Sequence, residues 1–133
     1  MGFRLVSVVA GSLLFAATAH AQGTLPNSLT KMDTDRDGKL SPSEWAADRP
    51  DVLKRLDKDK SGGISKEEAS AYYQRFGAAD DKKTISRINT IMKSDSDGDG
   101  SVTLAELMAA ANAEFARRDK DKDGFITPAD TGK

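Results

Sequence analysis

The sequence predicts an all-α chain built from helix-loop-helix repeats. The repeats form two pairs, with short two-residue β contacts between paired loops. Three observations predict this. A twelve-residue pattern of alternating oxygen-bearing side chains, a glycine and a closing carboxylate starts at Asp33, Asp57, Asp95 and Asp119. Apolar residues precede each start at helical spacing, and each pattern closes on a helix-start signal. A repeated unit that cannot bury its apolar stripe alone must stack on another copy.

Taken in order, residues 1–21 have the form of a cleaved secretory leader. Arg4 supplies the positive start, Leu5 to Ala17 is an uncharged apolar run, and Ala19-His20-Ala21 is a small-x-small site. Cleavage is expected before Gln22, giving a secreted or periplasmic protein with no membrane contact afterwards. A retained membrane anchor is the alternative, but the run is short for a span. His20 is the only histidine and would leave with the leader, and the chain has no cysteine. Neither imidazole nor thiolate then remains for catalysis or zinc binding.

Residues 22–27 read as a flexible lead-in, with Gly23 and Pro26 as breakers. Residues 28–76 hold the first pair of units, 77–83 a polar linker and 84–133 the second pair. Leu29 and Met32 lie on a short helix entering the first loop; Leu53 and Leu56, Ile91, and Phe115 take the same place before the others. Ser41-Pro-Ser-Glu44, Ser65-Lys-Glu-Glu68, Thr103-Leu-Ala-Glu106 and Thr127-Pro-Ala-Asp130 resemble capping boxes, and Pro42 and Pro128 suit a first helical position. Residues 69–76 are expected as a helix with Tyr72, Tyr73 and Phe76 near one face, ended by Gly77. Residues 84–93 carry Ile85, Ile88, Ile91 and Met92 as core. Only residues 45–56 and 107–118 separate the two loops of each half. Pro50 is expected to bend the first connection, whereas the second has no breaker and reads as one helix. Such short connections leave open whether loops 1 and 2, and loops 3 and 4, can face each other.

The third loop shows the chemistry best. Asp95, Asp97 and Asp99 alternate, Gly100 permits a sharp turn, and Glu106 closes the set. Calcium takes six to eight oxygens, and this spacing can wrap them around one ion: three carboxylates, the Ser101 carbonyl, a water held by Thr103, and both oxygens of Glu106. The same offsets give Asp33, Asp35, Asp37, Lys39 and Glu44 in loop 1, and Asp57, Asp59, Ser61, Gly63 and Glu68 in loop 2. Loop 4 has Asp119, Asp121, Asp123, Phe125 and Asp130. Lys39, Gly63 and Phe125 would contribute backbone carbonyls. A capping role alone accounts for Glu44, Glu68 and Glu106 but for none of the aspartates before them.

These residues resemble the EF-hand family, and the resemblance covers most of the chain after the first thirty residues. The compact spacing is similar to that of secreted bacterial members. The resemblance implies calcium as the ligand, and a β contact between paired loops at Leu40, Ile64, Val102 and Ile126. Loops 1 and 3 carry full carboxylate sets. Loop 2 has Ser61 for the third acid. Loop 4 closes on the shorter Asp130 with no room for a full helix after it, so it is expected to be the weakest site and the most tolerant of magnesium.

The 21 acidic and 20 basic residues nearly cancel, which argues against nucleic acid as a partner. Most of the acids stand in the loops. The expected function is calcium ion binding, as a buffer or a calcium-stabilised module. The alternative is a sensor that exposes a groove for an unidentified protein partner. Such grooves are usually methionine-rich, and after the leader only Met32, Met92 and Met108 remain. No enzymatic activity is expected. Without metal the crowded carboxylates repel one another, and the calcium-free chain is expected to be partly unfolded.

Overall fold

The computed structural model describes residues 24–132. The expected leader, residues 1–21, and residues 22–23 of the lead-in lie outside the described residues, as does Lys133. Six helices and two short strands are present among the described residues. Helix α1 (Asn27–Thr30) enters loop 1. Helix α2 (Pro42–Ala46) begins on a capping box: the Glu44 N–H donates to Ser41 Oγ, and the Glu44 carboxylate accepts from the Ser41 N–H. Helix α3 (Arg49–Leu56) follows after a turn at Ala47 and Asp48. Pro50 explains the interruption, because in a continuous helix its ring would meet the Ala46 carbonyl and no N–H would reach it.

Strand β1 (Gly63–Ser65) leads into α4 (Lys66–Tyr73), and strand β2 (Ser101–Thr103) into α6 (Leu104–Arg118); both helices start on capping boxes. Between them, α5 (Lys82–Met92) is capped by Asp81, which accepts from the Thr84 N–H. Helix α6 runs unbroken from loop 3 to loop 4, as its lack of breakers predicts. Residues 128–132 form turns rather than a helix.

The strands pair antiparallel, with Ile64 opposite Val102. Leu40 and Ile126 exchange both backbone hydrogen bonds at 2.9 Å. Loop 2 therefore pairs with loop 3, and loop 1 with loop 4. This corrects the division into one pair per sequence half, 28–76 and 84–133. The short connections are the reason. Helix α6 leaves loop 3 and enters loop 4, and its 15 residues hold those loops about 22 Å apart at 1.5 Å per residue. The α2–α3 rod separates loops 1 and 2 in the same way. Both of its helices pack on α6. Run antiparallel, the two rods bring a loop pair together at each end. Only residues 69–94 are long enough to fold back, as α4 against α5, and to let sequential loops 2 and 3 face.

Each end has its own apolar cluster, and each draws on both halves of the sequence. Leu40, Trp45, Phe115 and Ile126 pack with Leu25 and Leu29 at the loop 1–4 end. Leu56, Ile64, Ala69, Ile88, Val102 and Leu107 pack at the loop 2–3 end. The four residues at the eighth loop position are all fully buried.

Three local expectations change. Helix α4 stops at Tyr73, so Phe76 sits in the following turn, 65% exposed, with its ring 5.6 Å from that of Tyr72. Ile85 is 43% exposed rather than core, because α4 has given way to that turn beside the first turn of α5. Gly77 does not adopt a left-handed cap. It lets the chain pass close to Thr84, whose Oγ1 would lie 2.7 Å from an added Cβ.

Candidate metal centres

Each loop is shaped by its own carboxylates. The first aspartate bends the chain back on itself: Asp33 accepts from the N–H of Asp37 and Gly38, Asp57 from Ser61 and Gly62, and Asp119 from Asp123 and Gly124. In loop 3, Asp95 accepts from Gly98 and Gly100. The third-position acids Asp35, Asp59, Asp97 and Asp121 accept the N–H two residues further on. The sixth position is left-handed in every loop, with Gly100 at φ +87°, a region where a Cβ is costly.

The closing carboxylate spans its loop. Glu44 accepts from the Thr34 N–H at 2.8 Å on one oxygen and from the Ser41 N–H at 3.0 Å on the other. Glu68 does the same with Lys58 and Ser65, and Glu106 with Ser96 and Thr103. Asp130 also does so, from Lys120 and Thr127, both at 2.8 Å. Its missing methylene is offset by the tight turn at 128–132. The result is four clusters, in each of which three carboxylate oxygens lie within 4.8 Å of one another: Asp33, Asp35 and Glu44; Asp57, Asp59 and Glu68; Asp95, Asp97 and Glu106; Asp119, Asp121 and Asp130.

Not every candidate residue joins a cluster. The fifth-position acids Asp37, Asp99 and Asp123 are outside them, each accepting the N–H of the seventh residue, Lys39, Ser101 or Phe125. Ser61 reverses this, donating its hydroxyl to the Gly63 carbonyl at 3.3 Å. Loop 2 thus spends a hydrogen bond on the carbonyl that the sequence pattern assigns to an ion.

Two sets of residues escaped the sequence reading. Thr34 and Ser96, at the second position, add hydroxyl donors at 3.0 Å to Glu44 and Glu106. Their recurrence at the same offset in both halves was the available signal. The fourth-position residues Arg36, Lys60 and Lys122 adopt left-handed φ of 60–61°, where loop 3 has Gly98. Side-chain type alone gives no sign of that strain.

The donors set the electrostatics. The Ser41 N–H first, then Thr34, holds Glu44 down to about 2 from an ordinary 4.5, and Thr103 with Ser96 does the same for Glu106. Burial pushes Glu68 and Asp130 up, but their N–H donors outweigh it and both lie low. Asp121 goes the other way. The Asp123 N–H lowers it, yet burial and the carboxylates of Asp123, Asp130 and Asp119 leave it raised.

All the clustered donors are hard oxygens, several charged, and arranged around a small space. Such a set fits calcium, a hard cation that accepts many oxygens in flexible geometry. A cation between three carboxylates turns their mutual repulsion into attraction.

Comparison with known proteins agrees with this geometry. The family model described as EF hand matches residues 28–47 and 51–68, which cover loops 1 and 2. A probable calcium-binding protein of Arabidopsis thaliana is 32% identical over 99 residues, 68% of this chain and 57% of that protein. Parvalbumin beta of Opsanus tau is 36% identical over 67 residues, 47% of this chain and 62% of that protein. The chain spans less than two thirds of the length of either relative. Repeated helix-loop-helix units, β contacts at the eighth loop position, four carboxylate clusters and these matches together place the chain in the EF-hand superfamily.

Proposed function

We propose that this chain is an exported calcium-binding protein with four sites, acting as a calcium buffer or as a module that calcium stabilises. The four three-carboxylate clusters carry this reading. In loop 1 the ion is held by Asp33, Asp35, Asp37, the Lys39 carbonyl and Glu44, and in loop 3 by Asp95, Asp97, Asp99, the Ser101 carbonyl and Glu106. Loop 2 uses Asp57, Asp59, Ser61, the Gly63 carbonyl and Glu68 with one charge fewer. Loop 4 uses Asp119, Asp121, Asp123, the Phe125 carbonyl and Asp130, and is the site that also accepts magnesium. Calcium appears in the name of the Arabidopsis relative, which supports the choice of ion.

Export rests on the apolar run from Leu5 to Ala17 and the small residues before Gln22. Among the described residues no helix is long and apolar enough to cross a membrane. A partner-binding role is the second reading, favoured by the exposed Ile85 and by Phe76, which is exposed beside Tyr72. Expression in a bacterium, followed by fractionation and mass measurement, tests export. A mature protein beginning at Gln22 outside the cytoplasm supports it, and full-length protein retained in the cytoplasm overturns it. Hydrophobic-dye binding separates the two roles: a calcium-dependent rise favours the partner-binding reading, and unchanged dye binding favours the buffer.

A further inference from the structure

We infer that the turn between α4 and α5 is a docking surface for an anionic lipid bilayer. This rests on the partner-binding reading of Phe76 and Ile85 and goes further by naming the chemistry that covers them. Residues 69–94 hold five basic side chains and two acidic ones, Asp80 and Asp81. Asp81 is engaged within the fold, as the cap that accepts from the Thr84 N–H at 3.1 Å. Arg75, Phe76, Lys82, Lys83 and Ile85 are all exposed. The chain gathers them at one end of the α4–α5 hairpin. A Cβ on Gly77 would lie 2.7 Å from Thr84 Oγ1 and 3.4 Å from Asp81 Oδ2, so Arg75 and Phe76 come beside the first turn of α5. Arg87 follows one helical turn after Lys83, 6.0 Å from the centre of the Tyr73 ring. Lys82 and Lys83 are the first two residues of α5, where the helix dipole disfavours positive charge, and that first turn holds no acid. Neither lysine forms a salt bridge among the described residues. Their charge works against the local fold and is left for an anion outside it.

The acidic loops lie away from this surface. Helix α4 leaves loop 2 and α5 runs back into loop 3, so both loops stand at the far end of the hairpin. At 1.5 Å per residue, the 8 residues of α4 and the 11 of α5 put about 12 and 16 Å between the turn and those loops. Charges are largely screened beyond about 8 Å at physiological ionic strength, so the loops barely oppose an anionic surface that meets the turn. Basic side chains can draw on a broad sheet of headgroup charge without fixed partners, while an exposed ring and an aliphatic side chain enter the acyl boundary. Ser86, Asn89 and Thr90 continue the outer face of α5 with exposed neutral polar groups, which suit headgroups and give a partner helix no apolar stripe. Peripheral contact of this kind needs no spanning helix, and it departs from the expectation of no membrane contact after the leader.

The chain from Gln22 onward, with calcium saturating its loops, is sedimented with vesicles of mixed phosphatidylglycerol and phosphatidylcholine, and with vesicles of phosphatidylcholine alone. Binding to the first and not to the second is expected, weakening as salt is raised. Each basic residue near an anionic leaflet adds about fivefold to binding, so Lys82→Glu combined with Lys83→Glu should lower it by about 25-fold or more. Acids at those positions favour the helix, so this variant should keep the natural thermal midpoint or exceed it. Phe76→Ser, at an exposed site, should lower binding by about fivefold. Binding that both variants leave unchanged would overturn the inference, since calcium bridging loop carboxylates to lipid would then account for it. Equal binding to phosphatidylcholine alone would overturn it as well. If the vesicles are not bound but polyglutamate is, the bilayer is wrong and the partner-binding reading stands with an acidic protein as the partner. If neither is bound, both readings of this surface fall.

Discussion

Single donors around the closing carboxylates decide how well each loop is prepared for an ion. Ser96 Oγ and Thr34 Oγ1 orient Glu106 and Glu44 without touching the cluster's centre. Outer partners of this kind commonly carry about 10–100-fold in metal affinity. Ser96→Ala keeps the backbone donor, so a loss of about tenfold at loop 3 is expected by calorimetric titration; unchanged affinity would mean the hydroxyl is incidental. Acid separates the loops as well. A metal requires the deprotonated carboxylate, and Asp121 lies above its ordinary value while Glu44 and Glu106 are held near 2. Protons therefore compete for loop 4 at a higher pH than for the closing groups of loops 1 and 3. As pH falls into the range where carboxylates take up protons, loop 4 should release calcium first because Asp121 lies above its ordinary value, and calcium titrations at stepwise lower pH should show it. Earlier loss from loop 1 would contradict the electrostatic account. The aspartate and glutamate positions were legible in the sequence because ligand geometry fixes their offsets. The second-position hydroxyls were not, because Lys58 and Lys120 stand there in the other two loops and serve through backbone N–H alone.

The elements carry the connection between loops. Helix α6 belongs to both ends of the molecule, giving Leu107 to one cluster and Phe115 to the other. A break in it should loosen both. Proline inside a helix costs about 3 kcal/mol or more, so Ala109→Pro, at an exposed site, should lower the thermal midpoint of the calcium-loaded protein and weaken sites at both ends. Weakening at one end alone would show that the ends are held independently. Leu40, wholly buried between the loop 1 and loop 4 backbones, should be of comparable cost to lose. Leu40→Ala is expected to lose about 2–5 kcal/mol in denaturant unfolding, and a loss below about 1 kcal/mol would remove that contact from the core. The helices were legible from their capping boxes and the lack of breakers in 107–118. Where α4 ends was not. No local signal stops it at Tyr73, and Gly77 acts through close approach to Thr84 rather than as a cap.

At the scale of the whole molecule, the two halves of the sequence are not the two units of the fold. The repeat offset from Asp33 to Asp95 and from Asp57 to Asp119 marks two copies of a two-loop segment. The short connections within each copy then force its loops apart and leave each to find a partner in the other. The repeat was plain in the sequence. The nested pairing depends on two rods lying antiparallel, which no local pattern encodes. An isolated fragment of residues 84–132 should therefore lack both β partners and show little helix with or without calcium. A folded, calcium-binding monomer of that fragment would contradict the pairing. Metal contributes to the stability of the whole. A site at a hundred times its dissociation constant adds about 2.7 kcal/mol, and several such sites can decide whether two small clusters stay folded. The measurement that tests the account most directly is calorimetric titration of the chelator-stripped protein with calcium in millimolar magnesium, with Trp45 fluorescence followed in parallel. Trp45 directly follows Glu44 and lies against Arg118, 5.0 Å from its ring centre, so it reports the loop 1–4 end. Three or four binding events with a fluorescence change are predicted; no heat and no change in Trp45 would contradict the assignment of the loops as calcium sites.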